Sequence, residues 1–194
     1  MQTENFKETV LLVDADYADG VAFDLTVNFE RMLMRRVRSA DLAQWLVCMA
    51  LDGGLSEGEN EVQAVFLHTK PRMQNFVPGD LAGDIDGKAF RDERLGEFLM
   101  SAVRDERLTG ECLFTECAQA LLGSSSVKRI LLVPDMERYG AELKRLLAQH
   151  RDKEVTLLAM QPEAGRGFRS EILGYSLMQA LGIRGEEIER MRTR

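Results

Sequence analysis

The sequence predicts an α/β fold of three layers, in which helices cover both faces of a central, mostly parallel sheet. Short apolar runs alternate along the chain with segments of helical periodicity, an order typical of parallel strands joined by helical crossovers. The chain has 194 residues, of which 45% are hydrophobic, enough for one domain with a sizeable core. We therefore expect the whole chain, 1–194, to form a single domain.

Four apolar runs predict the strands. The runs at 9–14 and 129–133 are continuous rather than alternating, which indicates strands buried on both faces of a sheet. Because right-handed crossovers join parallel strands, the carboxyl ends of all four are expected at one edge of the sheet. The runs cover residues 9–14, 61–68, 129–133 and 155–160.

Apolar residues at helical spacing predict the helices. Residues 21–29 also alternate as a strand would, and we favour a helix because the helical spacing continues to Val37. Ser39 is the expected N-cap of the second helix. A loop-rich segment is predicted at 69–89 and a charged tail at 184–194. The predicted helices cover residues 21–36, 40–51, 91–106, 111–122, 139–150 and 169–181.

Charge and cysteine content limit the classes of function. A net charge of −7 argues against nonspecific nucleic-acid binding by the whole surface, but it allows a local basic face. The three cysteines form no CxxC pair, and no signal peptide or stretch of about 20 apolar residues is found, so a cytoplasmic protein with free thiols is expected. Arginines that could bind a phosphate backbone, or could simply form solvated helix faces, are Arg35, Arg36, Arg38, Arg138 and Arg169.

Acidic residues follow two of the predicted strands. Asp14 and Asp16 follow the first strand, and Asp135 and Glu137 follow the third. Since parallel strands end at the same edge of a sheet, these carboxylates should face one crevice. Clustered carboxylates are tolerated when a hard divalent cation neutralises them, which makes Mg²⁺ or Mn²⁺ a candidate cofactor. The alternative is that Asp14 and Asp135 each cap the helix that follows.

The order of these motifs resembles the NYN family, which is related to the PIN-like nucleases. LLVDADY resembles the family's first strand and its terminal aspartate, here Asp14. ECLFTECAQALL resembles its helix of spaced acids, here Glu111 and Glu116. ILLVPDMERYGAELKRLL resembles its strand, D-x-D motif and helix, with Asp135 as the first acid and Glu137 in place of the second. Unlike the family pattern, Pro134 replaces the usual glycine, and Tyr17 stands nearest to the usual asparagine.

The resemblance implies a PIN-like or Rossmann-like fold and a metal-dependent RNA nuclease, a hydrolase. Asp14, Asp16 and Asp135 would then bind the metal, and Glu116 and Glu137 would complete the catalytic site. The expected partner is single-stranded or structured RNA, with a homo-oligomer also considered. The second hypothesis is a catalytically degenerate NYN-like module that binds RNA or a protein.

Overall fold

The structure, a computed structural model, describes residues 6–106 and 111–192, and the side chains of residues 111, 112, 191 and 192 lie outside that description. The strands are β1 (Thr9–Asp14), β2 (Ala40–Asp41), β3 (Asn60–His68), β4 (Phe76–Val77), β5 (Lys88–Asp92), β6 (Gly96–Arg104), β7 (Arg129–Val133), β8 (Glu154–Ala159) and β9 (Arg169–Ile172). The helices are α1 (Ala15–Leu33), α2 (Leu42–Asp52), α3 (Glu111–Gly123), α4 (Met136–Gln149), α5 (Leu173–Ala180) and α6 (Gly185–Arg192).

Seven strands form the central sheet, in the order β5-β6-β3-β1-β7-β8-β9. Every neighbouring pair is parallel except β5 and β6, which are antiparallel. The predicted three-layer α/β/α class is therefore confirmed, as is the parallel pairing of the four predicted strands. Strands β2 and β4 form a separate two-stranded sheet.

Two apolar layers hold helices against opposite faces of the sheet. Leu11 and Val13 of β1 point to the layer formed with α1, α2 and α5. Val10 and Leu12 point to the other face, where they pack with α3 and α4. All four side chains are buried, which explains why β1 reads as a continuous apolar run rather than an alternating one.

The predicted helix 91–106 is wrong, because this segment forms the hairpin of β5 and β6. Alternation places Phe98 and Met100 in the core, and Phe98 stacks on Phe90 of β5 with 4.8 Å between ring centroids. Gly96 begins β6 with a φ of 96°, a conformation suited to glycine. The apolar residues of this segment fit both a strand and a helix, and in the structure they form a strand.

Other element boundaries also differ from the predictions. The first helix begins at residue 15 rather than 21, and Asp41 rather than Ser39 caps α2. Residues 169–172 of a predicted helix form β9, which pairs with β8. The loop-rich segment includes β4 and a π-helical turn at Leu81–Ile85, and the tail contains α6.

The topology defines where a ligand crevice is expected. From β1 the chain winds outward to β3 and β6 on one side, and then to β7, β8 and β9 on the other. Ligands of open α/β sheets bind at the carboxyl ends of the strands where the winding direction reverses. Here that point lies between β1, which ends at Asp14, and β7, which is followed by Pro134 and Asp135. Within the described residues, no helix has the length and apolar character needed to span a bilayer.

Candidate functional site

Asp14 stands at the centre of the switch point and has two structural partners. It ends β1 and caps α1, where its Oδ1 accepts a hydrogen bond of 3.0 Å from the Tyr17 amide. Its Oδ2 accepts a second bond, of 2.8 Å, from the Tyr139 hydroxyl. Each carboxylate oxygen therefore already accepts a bond from within the chain.

Tyr139 joins the two strand ends across the switch point. Its hydroxyl donates to Asp14 and accepts a 2.9 Å bond from the Asp135 amide. The side chain is buried, and its ring stacks on Phe114 of α3 with 5.1 Å between centroids. Burial raises the pKa of Tyr139, and the Asp14 charge raises it further, so the hydroxyl remains a donor at neutral pH.

The environment of Asp14 raises the pKa of its carboxyl above the ordinary value. Burial is the largest cause that raises the pKa of this carboxyl, and the nearby charges of Asp16 and Asp135 raise it further. The bonds from the Tyr17 amide and the Tyr139 hydroxyl oppose that rise, because they stabilise the ionised form. Desolvation therefore contributes more to the raised pKa of Asp14 than repulsion by the neighbouring carboxylates does.

Asp135 and Glu137 lie in the first turn of the neighbouring helix. Asp135 caps α4 and accepts bonds from the amides of Glu137 and Arg138, at 3.1 and 3.3 Å. Glu137 itself is exposed. Burial is the largest cause that raises the pKa of Tyr17, and the negative charges of Asp135 and Glu137 raise it further. The first turns of α1 and α4 therefore create a negative potential around the Tyr17 ring.

Asp16 fixes the loop that follows β3. Its carboxylate accepts bonds from the amide and hydroxyl of Thr69, at 2.8 and 2.5 Å, and from the Lys70 amide at 3.2 Å. Beside it is a cavity of about 20 Å³, room for about one water molecule but not for a nucleotide. The polar side chains that line this cavity are Asp14, Asp16, His68, Thr69, Asp105 and Arg138.

The predicted Mg²⁺ or Mn²⁺ site has only part of its expected ligands together among the described side chains. Within the described part of the chain, no group of three or more His, Cys, Asp or Glu residues is arranged to hold a metal. Glu116 is exposed on α3 and is not among the residues that line the cavity beside Asp14. The Glu111 side chain lies outside the described residues. Asp14 and Asp135 cap α1 and α4, the alternative role that the sequence left open, and their role as metal ligands stays a prediction.

The predicted arginines do not gather around Asp14. Arg138 alone among them lines the small cavity beside Asp14. Arg35 and Arg36 follow the opposite end of α1, a 19-residue helix about 28 Å long. Arg169 begins β9, whereas Asp14 ends β1, so the two lie toward opposite edges of the parallel sheet. A single RNA strand bound at Asp14 would therefore not contact all of the predicted cations.

Three of the arginines instead line an open cleft of about 560 Å³ at the end of α1, which we call the arginine cleft. Arg35 forms a two-bond contact with Glu187, with both N–O distances at 2.9 Å. Arg38 donates to the Gln44 side chain and to a backbone carbonyl. The cleft is lined by Arg35, Arg36, Arg38, Arg184, Gln44, Gln179 and residues 181–183 and 185.

A family model for proteins of unknown function, DUF6621, matches residues 3–188, which is nearly the whole chain. The chain belongs to the DUF6621 family. No curated protein and no solved structure matches it. Membership assigns no chemistry, because the family's function is unknown, so the NYN resemblance stays a prediction.

In this DUF6621 chain, Tyr139 is the site residue that the sequence did not reveal. It lies four positions after Asp135, one helical turn into α4, so its side chain points back toward the helix start. That spacing was visible in the sequence. Its partner Asp14 lies 125 positions away, and only the parallel pairing of β1 with β7 brings the two together.

Proposed function

We propose that this chain is an RNA-binding module with an NYN-like fold that binds the phosphate backbone of single-stranded RNA in the arginine cleft. The observation that carries the proposal is the cleft itself. Four arginines line it, and the carboxylates paired with them are Glu30 and Glu187. The arginine cleft therefore has a local positive excess on a chain with a net charge of −7. Guanidinium groups suit phosphate, because their planar donors can bind two oxygens at once.

Arg36 lines the cleft and is available to a ligand. Its side chain is 95% exposed, and its ion pair with Glu30 is long at 3.5 Å. Arg35, in contrast, already uses its donors on Glu187. Arg36 can therefore bind an RNA phosphate without first breaking a strong ion pair. We place this binding in the cytoplasm, consistent with the free thiols of Cys48 and Cys117.

A metal-dependent RNA nuclease is the second candidate. The observation that favours it is the placement of Asp14 at the end of β1 and of Asp135 just after β7, the two strands that flank the switch point. The observation that ranks it below RNA binding is the bonding of Asp14, whose two oxygens accept from Tyr17 and Tyr139. If a cation did bind there, it would supply a Lewis acid for phosphodiester cleavage, and the chain's own part would be to orient Asp14 through Tyr139.

The test of RNA binding is fluorescence anisotropy with a labelled single-stranded RNA at several salt concentrations. Each phosphate contact contributes about −0.7 to the slope of log K against log salt, so Arg36→Gln should weaken binding and make the slope about 0.7 less steep. The control is Arg91→Gln, which removes another exposed, ion-paired arginine and should change neither quantity. Equal losses in both variants, or no binding by the wild type, would refute the proposal.

The same RNA, incubated with millimolar Mn²⁺, separates the two candidates. We expect no cleavage above the level seen with Asp14→Asn. Cleavage by the wild type that Asp14→Asn abolishes would establish the nuclease instead. A variant that still binds RNA but no longer cleaves it would locate chemistry and binding at the two ends of α1.

A further inference from the structure

The solvent side of α1 carries an apolar row that no described part of the chain covers. Phe23, Val27 and Met34 are 55%, 38% and 88% exposed. Phe23 and Val27 lie one turn apart on one side of α1, and Met34 follows at its C-cap. The opposite face of α1 is the buried one, with Ala18, Ala22 and Phe29 in the core. The side chains of this row therefore do not contribute to the hydrophobic core of the chain.

Gly20 lies on the same exposed face. A glycine inside a helix makes the helix less stable than an alanine would, so we looked for a contact that requires a glycine at this position. The described residues provide none, because a Cβ added at Gly20 would have nothing within 4 Å. A bare helix surface of this kind permits close approach by something outside the chain.

Two opposite charges accompany the row. Asp24 and Arg31 lie three and four positions on either side of Val27, so they are two helical turns, or about 10 Å, apart. Both are exposed, and neither forms an ion pair with another described residue. The face is therefore negative toward one end and positive toward the other, with an apolar centre.

We propose that this face binds a second copy of the same chain, with the two α1 helices antiparallel about a two-fold axis near Val27. A two-fold axis places residues at equal distances from it opposite each other. Asp24 then faces Arg31 of the second copy, and Val27 packs on its own counterpart. Gly20 faces Met34 of the second copy, whose exposed thioether fills the space left by the missing side chain. A parallel arrangement would instead bring like charges together.

Self-association through α1 does not require RNA binding, but it would change the surroundings of the arginine cleft and of Asp14. Antiparallel packing brings the carboxyl end of one α1, which is followed by Arg35 and Arg36, beside the amino end of the other, which Asp14 caps. Within one chain these groups lie about 28 Å apart, the length of α1. A dimer would therefore bring the arginine cleft of one copy toward the acidic crevice of the other.

The test is a set of charge reversals, followed by sedimentation equilibrium and light scattering after chromatography. Asp24→Arg and Arg31→Asp should each weaken self-association at least about tenfold, because each places like charges opposite each other at both ends of the interface. The double variant D24R/R31D should associate like the wild type. An equimolar mixture of the two single variants should form a heterodimer, since their charges complement each other.

Two controls make the result specific. Asp152→Arg reverses a charge on an exposed side chain away from α1 and should leave the dimer intact. Circular dichroism of each variant checks that the fold is kept. A wild type that remains monomeric at 100 µM, about the concentration at which weak dimers form, would overturn the proposal. Failure of both the double variant and the mixture to associate would overturn the antiparallel arrangement.

Discussion

The Tyr139 hydroxyl is the most informative single group to remove. Tyr139→Phe keeps the buried ring and its stacking on Phe114, and it deletes only the oxygen that joins Asp14 to the Asp135 amide. If this contact supports the fold, the variant should be less stable. If Asp14 instead serves a metal, the variant should retain most of its stability and change its response to the metal.

The expected size of the effect follows from the two lost bonds. A hydrogen bond to an ionised carboxylate contributes about 1.5–3 kcal/mol, and an amide left without an acceptor costs about 1–3 kcal/mol when buried. Asp14 and Asp135 are only half-buried, so solvent recovers part of this, and we expect a loss of about 2–4 kcal/mol. For a chain of this length that corresponds to a fall in Tm of about 5–15 °C.

The loss should depend on pH in a definite direction. The pKa of Asp14 is raised in the fold, so its contribution favours folding at low pH and is lost as the pH rises through the folded-state pKa. The Tyr139 bond opposes that rise, because it stabilises the ionised carboxylate. Removing the bond raises the pKa of Asp14 further, and the stability penalty should therefore be smallest below the ordinary value of 3.8 and should grow as the pH rises through the folded-state pKa of Asp14.

The assay is urea denaturation at a series of pH values, with Tyr175→Phe as the matched control. Tyr175 is 67% exposed, so loss of its hydroxyl should change stability by less than about 0.5 kcal/mol. Equal stability of Tyr139→Phe and wild type at pH 7 would refute the structural role of this hydroxyl. A penalty that is constant across the pH range would refute the part assigned to the Asp14 charge.

Three further predictions concern metal, pH and backbone conformation. Millimolar Mn²⁺ should leave the wild-type Tm unchanged in differential scanning fluorimetry, whereas an ion at 100 times its Kd would add about 2.7 kcal/mol, a rise of about 5–10 °C. The Arg184 amide, and then Arg35, lower the pKa of Glu187, so its contribution is present above the ordinary value of 4.5 and lost as the pH falls through the folded-state pKa. Glu187→Gln should remove that acid-dependent loss from the pH profile of stability. Gly167→Ala, at a φ of 83°, would overlap a carbonyl oxygen of α4 and should cost more than about 2 kcal/mol in chemical denaturation, whereas Gly87→Ala, at a φ of 69° in open space, should cost only about 1 kcal/mol.

The strands at the centre of the sheet could be predicted because their local and global signals agree. Residues 9–14 are apolar on both sides of the chain, and the fold buries both sides of β1 between two helical layers. The same holds for β7 at 129–133. Such strands can be recognised from their apolar composition, and the helical connections between successive strands predict that they pair in parallel.

The segment 91–106 could not be assigned in the same way, because its pattern satisfies two periods. Leu95, Phe98, Leu99 and Val103 fit one face of a helix. The structure instead pairs β6 with β3 in register from Gly96–Asn60 to Arg104–His68. That pairing depends on residues about 36 positions away, which a local window does not contain. Leu99 and Val103 then point to the less covered face of the sheet, and Val103 remains 41% exposed.

The role of Asp14 could not be predicted from its residue type and its place in the sequence. A carboxylate at the end of the first parallel strand suits both a metal ligand and a helix cap, and its position is the same in either case. The difference lies in the donors that face it. Here they are the Tyr17 amide, supplied by the next turn of the chain, and the Tyr139 hydroxyl, supplied from α4. A cation bound to Asp14 would share this carboxylate with that hydroxyl, so metal binding and the Tyr139 bond are coupled, and substitution of Tyr139 by phenylalanine tests both at once.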